Sequence, residues 1–210
     1  MQVDAVSLRA LNCLPLILSI LDDTHAVDDA RAADDERRRQ ATEALRDWDG
    51  EVLPDAIGPT IFNVFFRHWT RAVVAERFEE DAQPLLTAGA EALAARLLSE
   101  DRCSWFANRD RDAHVISAFD HTLEDLTQRF GSDMTTWGWG KLHRLTMDHV
   151  LSSRGDLDQL FNYAGMGVRG DIQCVGNTGG GPDWEAQAGG GFRMIADLSD
   201  AATLLTVDAP

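Results

Sequence analysis

Residues 137–151, WGWGKLHRLTMDHVL, divide the chain into two kinds of sequence. Upstream, apolar residues return every three or four positions, the period of a helix face. Downstream, short apolar runs alternate with glycine-rich stretches, the habit of strands and turns. The stretch itself holds two tryptophans, two histidines and Asp148 within fifteen positions. A catalytic or metal cluster is one reading, and a buried crossover is the other. His143 and His149 are six apart. That matches neither the i, i+4 pair a helix offers to zinc nor a His-Glu-x-x-His motif. A neutral histidine that hydrogen-bonds and fixes the crossover is favoured. Trp137 and Trp139 are expected to cover the join between helical and sheet layers, with their indole N–H groups partnered.

Working upstream, DAHVISAFDHTLEDLTQRFG carries Val115, Phe119, Leu123, Leu126 and Phe130 as one helical stripe, and Gly131 ends it. PLLTAGAEALAARLLSE reads as a single helix. Ile57, Ile61, Val64, Phe65, Trp69, Val73 and Phe78 mark another, with Pro59 in its first turn where a missing N–H is tolerated. RRRQATEALRDW is helical, with Asp34 or Asp35 as cap and Gly50 as stop. SLRALNCLPLILSIL is apolar almost all round and predicts a deeply buried helix, interrupted or kinked at Pro15. The Asp pairs at 22–23, 28–29 and 34–35 lack the alternation and central glycine of a calcium loop. They read as a solvated linker.

Downstream, DIQCVGN, FRMIADLS and TLLTV predict strands, the last two joined by a turn at DAA. TGGGPDWEAQAGGG lacks the Gly-Lys-Ser/Thr of a phosphate loop and reads as a connection. Helices followed by segregated strands make an α+β class. Three strands alone leave open edges, so the sheet is expected to be completed by strands outside this chain. The division falls at residues 1–131, helical, and 132–210, crossover and strands.

Composition narrows the function. Thirty-five acidic residues face nineteen basic ones, for a formal net charge of −16. Nucleic acid and anionic membrane surfaces both call for a basic footprint and are excluded as partners. The three cysteines, Cys13, Cys103 and Cys174, are scattered with no Cys-x-x-Cys and read as small buried hydrophobes. No basic n-region opens the chain, and the apolar run LNCLPLILSIL is too short to span a bilayer.

In this order the motifs resemble the penicillin acylase (penicillin amidase) family. LRDWDGEVLPDAIGPTIFNVFF is similar to a helical part of the large subunit. WGWGKLHRLTMDHVL is similar to its Trp-Gly-x-x-His segment, and RGDIQCVGN to its Gly-Asp-x-x-x-Val strand. GGGFRMIADLSDAATLLTV is similar to a Gly-x-Ser-Tyr-Arg-Met-Val-x-Asp-Leu strand, with Phe192 for Tyr and Gly191 for Ser.

The resemblance implies an N-terminal nucleophile hydrolase: a four-layer αββα sandwich that cleaves amides. A Ser exposed by self-cleavage attacks, its own α-amine serves as base, and an Asn with a backbone N–H holds the oxyanion. The substrates implied are N-acyl compounds such as β-lactam antibiotics or acyl-homoserine lactones. This chain begins Met1-Gln2, so it departs from the pattern at the nucleophile. It is expected to be an internal piece of the large (β) subunit, inactive alone, whose partners are the rest of the acylase. No cofactor or metal is expected. The resemblance allows a structural calcium ion, whose ligands this sequence does not identify. It also implies export, with any signal outside these residues.

No catalytic residue is assigned within the chain. Supporting candidates are His143 and the pair Arg193 and Asp197, which would share one face of a strand. In relatives acting on acidic side chains, a late-strand acid orients an active-site histidine, and Asp197 is a candidate for that place. The plainer reading is a structural ion pair. From a different class, the chain could be a helical interaction module whose strands extend a partner's sheet.

Overall fold

The computed structural model describes residues 4–24, 32–100, 104–106, 111–152, 157–181, 183–189, 193–196, 198–199 and 204–207. The fold is α+β, and its contacts group the chain into two compact units that do not follow chain order. One, the helical unit, comprises Leu8–Gly50 and Ala56–Gly138. The other, the sheet unit, comprises Met1–Ser7, Glu51–Asp55 and Trp139–Pro210.

The helical unit contains α1 (Leu8–Thr24), α2 (Ala32–Arg46), α3 (Gly58–Ala75), α4 (Gln83–Thr87), α5 (Glu91–Ser99) and α6 (Arg111–Phe130). The aromatic-rich α3 is its centre. Ile61, Phe62, Val64, Phe65, Phe66, Trp69, Val73 and Val74 are all buried, and Pro59 sits in the first turn. The stripe Val115, Phe119, Leu123 and Leu126 of α6 is buried against it, with Phe65 and Phe119 meeting edge-on at 6.2 Å. Each such side chain contributes roughly 1.5–3 kcal/mol by leaving water. Two buried hydroxyls are satisfied within their own helices. The Thr70 and Thr122 hydroxyls donate to the carbonyls of Phe66 and Ala118 one turn back, each at 2.7 Å. The Trp69 indole donates to the Ala94 carbonyl at 2.8 Å and ties α3 to α5. Gly131, with φ +86°, ends α6 as its sequence position predicts.

Several expectations change. α1 runs unbroken through Pro15, and it buries one face only: Ile17, Ile20 and Leu21 are inside while Leu8 and Leu11 are exposed. α2 begins at Ala32, so Asp34 and Asp35 fall inside its first turn rather than at the cap, and it ends four residues before Gly50. The segment expected as one helix over residues 84–100 is two, α4 and α5, separated around Gly89. Phe78 lies past the end of α3 and is exposed.

The sheet unit contains α7 (Trp139–Leu142), β1 (Arg144–Met147), α8 (Asp158–Phe161), β2 (Tyr163–Gly167), β3 (Thr178–Gly180), β4 (Ala186–Gly189), β5 (Arg193–Ala196) and β6 (Leu204–Val207). The first four strands form one sheet in the order β2-β1-β4-β3, and β5 and β6 form an antiparallel pair of their own. β1 joins the two hairpins by a parallel contact of Leu145 with Ala186. A bulge lies opposite Leu145 and Thr146, where β2 places Gly165 at φ +94°. The N-terminal residues belong here too. Val6 bridges Glu51, Val52 N–H donates to the Ala5 carbonyl at 2.9 Å, and Gly170 N–H donates to the Val52 carbonyl at 2.8 Å.

Two downstream expectations are corrected. DIQCVGN is not a strand but a turn organised by Asp171, whose carboxylate accepts from Gln173 N–H at 2.7 Å while its carbonyl accepts from Thr178 N–H at 3.3 Å. The glycine-rich connection is not structureless, since it carries β3 and β4 as a hairpin. The expected DAA turn at residues 200–202 lies outside the described residues.

Candidate functional site

In the sheet unit a cluster of polar contacts is built on the buried His143. α7 places Trp139 one turn before His143, so the two rings stack with centroids 4.8 Å apart. The His143 N–H closes that turn on the Trp139 carbonyl at 2.7 Å. Trp139 also meets Trp184 edge-on at 6.2 Å, and its indole donates to the Gly170 carbonyl at 3.1 Å. Trp137 belongs to the helical unit, where its indole donates to the Gly131 carbonyl at 3.0 Å. Both tryptophans are buried with their N–H groups partnered.

His143 is 1% exposed, and both ring nitrogens have partners. Nδ1 lies 2.7 Å from the Trp184 carbonyl and Nε2 lies 2.9 Å from Thr178 Oγ1. A carbonyl only accepts, so Nδ1 carries the proton. In the neutral ring Nε2 is then an acceptor and takes the Thr178 hydroxyl proton. That hydroxyl also lies 3.0 Å from the Arg169 carbonyl, so one proton faces two acceptors. Burial pushes the His143 pKa down, while the Trp184 carbonyl and the charge of Asp171 pull the other way. The geometry makes His143 a clamp. It holds the β3–β4 hairpin and fixes Trp184, whose φ of +70° is rare for a residue with a side chain.

Beside it lies a second polar group. The Cys174 thiol reaches the Ala5 carbonyl at 3.1 Å and Asp171 Oδ1 at 3.3 Å. Burial first, then the Asp171 charge, pushes this thiol up to about 12, which holds it protonated and unreactive. Cys13 is likewise buried and its pKa raised by burial, and Cys103 lies outside the described residues.

Of the remaining candidates, Arg193 begins β5 opposite Val207, in the two-stranded sheet rather than the sheet of His143. Asp197 lies outside the described residues. His149 is exposed, stacked on Phe161 at 5.0 Å, with Nδ1 accepting from Leu151 N–H at 3.2 Å. Among the described residues no group of three or more His, Cys, Asp or Glu could hold a metal ion. No described helix is long and apolar enough to cross a membrane. Sequence reasoning missed Thr178, Trp184 and the Asp171–Cys174 pair, because the first two lie in the stretch read as a connection and the others in the stretch read as a strand.

The sequence matches the family model described as penicillin amidase over residues 1–208. It is similar to the acyl-homoserine lactone acylase QuiP of Pseudomonas syringae pv. syringae (strain B728a), 24% identical over 193 residues, which is 83% of this chain and 23% of that protein. QuiP of Pseudomonas aeruginosa is 23% identical over 163 residues, 71% of this chain and 18% of that protein. QuiP of Pseudomonas putida is 22% identical over 194 residues, 85% and 24%. The chain spans about a quarter or less of the length of these relatives.

Proposed function

The chain belongs to the penicillin amidase family, and from that membership we propose that it forms part of the large subunit of an acylase that hydrolyses N-acyl amides. Acyl-homoserine lactones are the substrates favoured, through the names its relatives carry. In this reading residues 1–131 are the subunit's helical region, and residues 132–210 add strands to an αββα sandwich. The nucleophilic Ser and its α-amine belong to the three-quarters of such acylases that this chain does not span. His143 is a framework residue, and Arg193 with Asp197 is a supporting pair.

The observation that carries this reading is the family match along nearly the whole chain. The chemistry of the site agrees with it. His143 is buried with both nitrogens engaged, and the Cys174 thiol is held protonated, so neither offers an attacking or proton-transferring group. The purified chain should release no product from acyl-homoserine lactones or phenylacetyl amide chromogens. Mixed with the remaining segments of the acylase, it should restore turnover. Turnover by the chain alone that disappears on replacing one of its own residues would overturn the proposal.

A further inference from the structure

The β1–β2 hairpin carries chemistry that amide hydrolysis does not use. Met134 is buried, while Met147 on β1 and Met166 on β2 are half exposed. A thioether sulfur in contact with water is a soft nucleophile open to dissolved oxidants. The two exposed sulfurs are matched in exposure but not in surroundings. Met147 lies opposite Tyr163, and Met166 lies opposite Leu145.

The bulge makes the difference. Tyr163 and Met166 are three positions apart, so in a regular strand their side chains would point to opposite faces. Gly165, at φ +94°, is the extra residue between them in the ladder and returns both to one face. There the Tyr163 hydroxyl donates to Met166 Sδ at 3.2 Å. The Met147 sulfur receives no hydrogen bond from another described residue. One exposed thioether thus has a hydroxyl donor fixed beside it, and the other does not.

We propose that Met166 is a site of oxidative modification by hydroperoxides, and that the Tyr163 hydroxyl assists the reaction. A lone pair on Met166 Sδ attacks one peroxide oxygen, forming the S–O bond as the O–O bond breaks. Sulfur gives up two electrons, and the departing oxygen takes them. The proton of the transferred hydroxyl passes to that departing oxygen, so methionine and hydrogen peroxide become methionine sulfoxide and water. Negative charge grows on the departing oxygen along the way. The Tyr163 hydroxyl, already at the sulfur, can turn its proton toward that charge. The sulfoxide oxygen is also a stronger acceptor than the thioether, so the same hydroxyl holds the product. Oxidation sets a polar group among apolar side chains and lowers the hydrophobicity of this face. The proposal stands apart from the acylase reading, because the reaction is read on this chain alone.

The test exposes the full chain to dilute hydrogen peroxide and follows each methionine by peptide mass. Met166 should oxidise roughly threefold or more faster than Met147, the effect of one modest hydrogen bond. Buried Met134 should lag Met147 by roughly tenfold or more. Tyr163→Phe keeps the ring and removes the hydroxyl, so the melting temperature should hold while Met166 slows to the pace of Met147. At the exposure that converts Met166, binding of a hydrophobic dye should fall, and in Met166→Leu the same exposure should leave it unchanged. Met166 oxidising no faster than Met147, a Met166 rate that is not slowed in Tyr163→Phe, or a loss of dye binding that persists in Met166→Leu would overturn the proposal.

Discussion

His143 ties its buried position to a pH response. Its unfolded value is near 6.5, and burial places the folded value lower. As pH falls through about 6.5, the unfolded chain takes up a proton that the folded chain still refuses, so stability drops across that window and is fully present above it. His68 is lowered by burial in the same direction and adds to the slope. Urea midpoints measured from pH 7.5 to 5.5 should therefore decline. His143→Asn should be less stable by about 1–3 kcal/mol, since one buried partner is left unpaired, and its midpoint should decline less steeply over the same range. Equal slopes for the two proteins would sink this account. The spacing of the two histidines could argue only against a metal pair. The partners of His143 lie 35 and 41 residues further along, beyond the reach of any local pattern.

Two glycines decide how α7 meets β2. A Cβ on Gly167 would come within 2.6 Å of the Gly140 carbonyl oxygen, and one on Gly140 within 3.1 Å of Gly167 Cα. Backbone meets backbone, so no side chain can turn aside. Gly167→Ala should destabilise the chain by about 1–3 kcal/mol, the usual penalty of overpacking. Gly89→Ala is the contrast. Its added methyl would find nothing nearer than 3.9 Å, and stiffening the unfolded chain should stabilise by about 0.4–1 kcal/mol. Denaturant unfolding of the two variants should shift in opposite directions, and a shared sign would refute the packing argument. The long helices were legible because α3 and α6 repeat apolar residues over five turns or so. The β3–β4 hairpin was not, because Gly179, Gly180 and Ala188 have too little side chain to display a two-residue period. The turn after Gly170 was misread because Ile172 and Val175 suggest a strand, yet both are exposed around the Asp171 carboxylate.

The whole molecule has apolar surface left over in its sheet unit. Met147 pairs with Tyr163 across β1 and β2, and the Tyr163 hydroxyl donates to Met166 Sδ at 3.2 Å. All three side chains are about half exposed, at 51%, 50% and 50%. Exposed apolar side chains set side by side in this way form a face that a further segment can cover. If the rest of an acylase covers it, adding those segments in trans should raise the melting temperature and suppress binding of a hydrophobic dye. Unchanged melting and unchanged dye binding at concentrations well above micromolar would count against that assembly. The α+β class was readable from the order of patterns along the chain. The grouping of residues 1–7 and 51–55 with the strands was not, because it rests on backbone hydrogen bonds that no side-chain pattern encodes.

Those backbone bonds also set a schedule. The Ala5 carbonyl is claimed by Val52 N–H and by a thiol 169 positions later, and the Asp4 carbonyl by Gly176 N–H. A ribosome adding roughly 5–20 residues per second needs about 10–35 s to travel that far. The helical unit is fully synthesised within this interval, while the opening residues wait for their last partners. Residues 4 and 5 are therefore fastened in two instalments: the bond to Val52 can close early, while those to Cys174 and Gly176 wait until the helical unit has been synthesised.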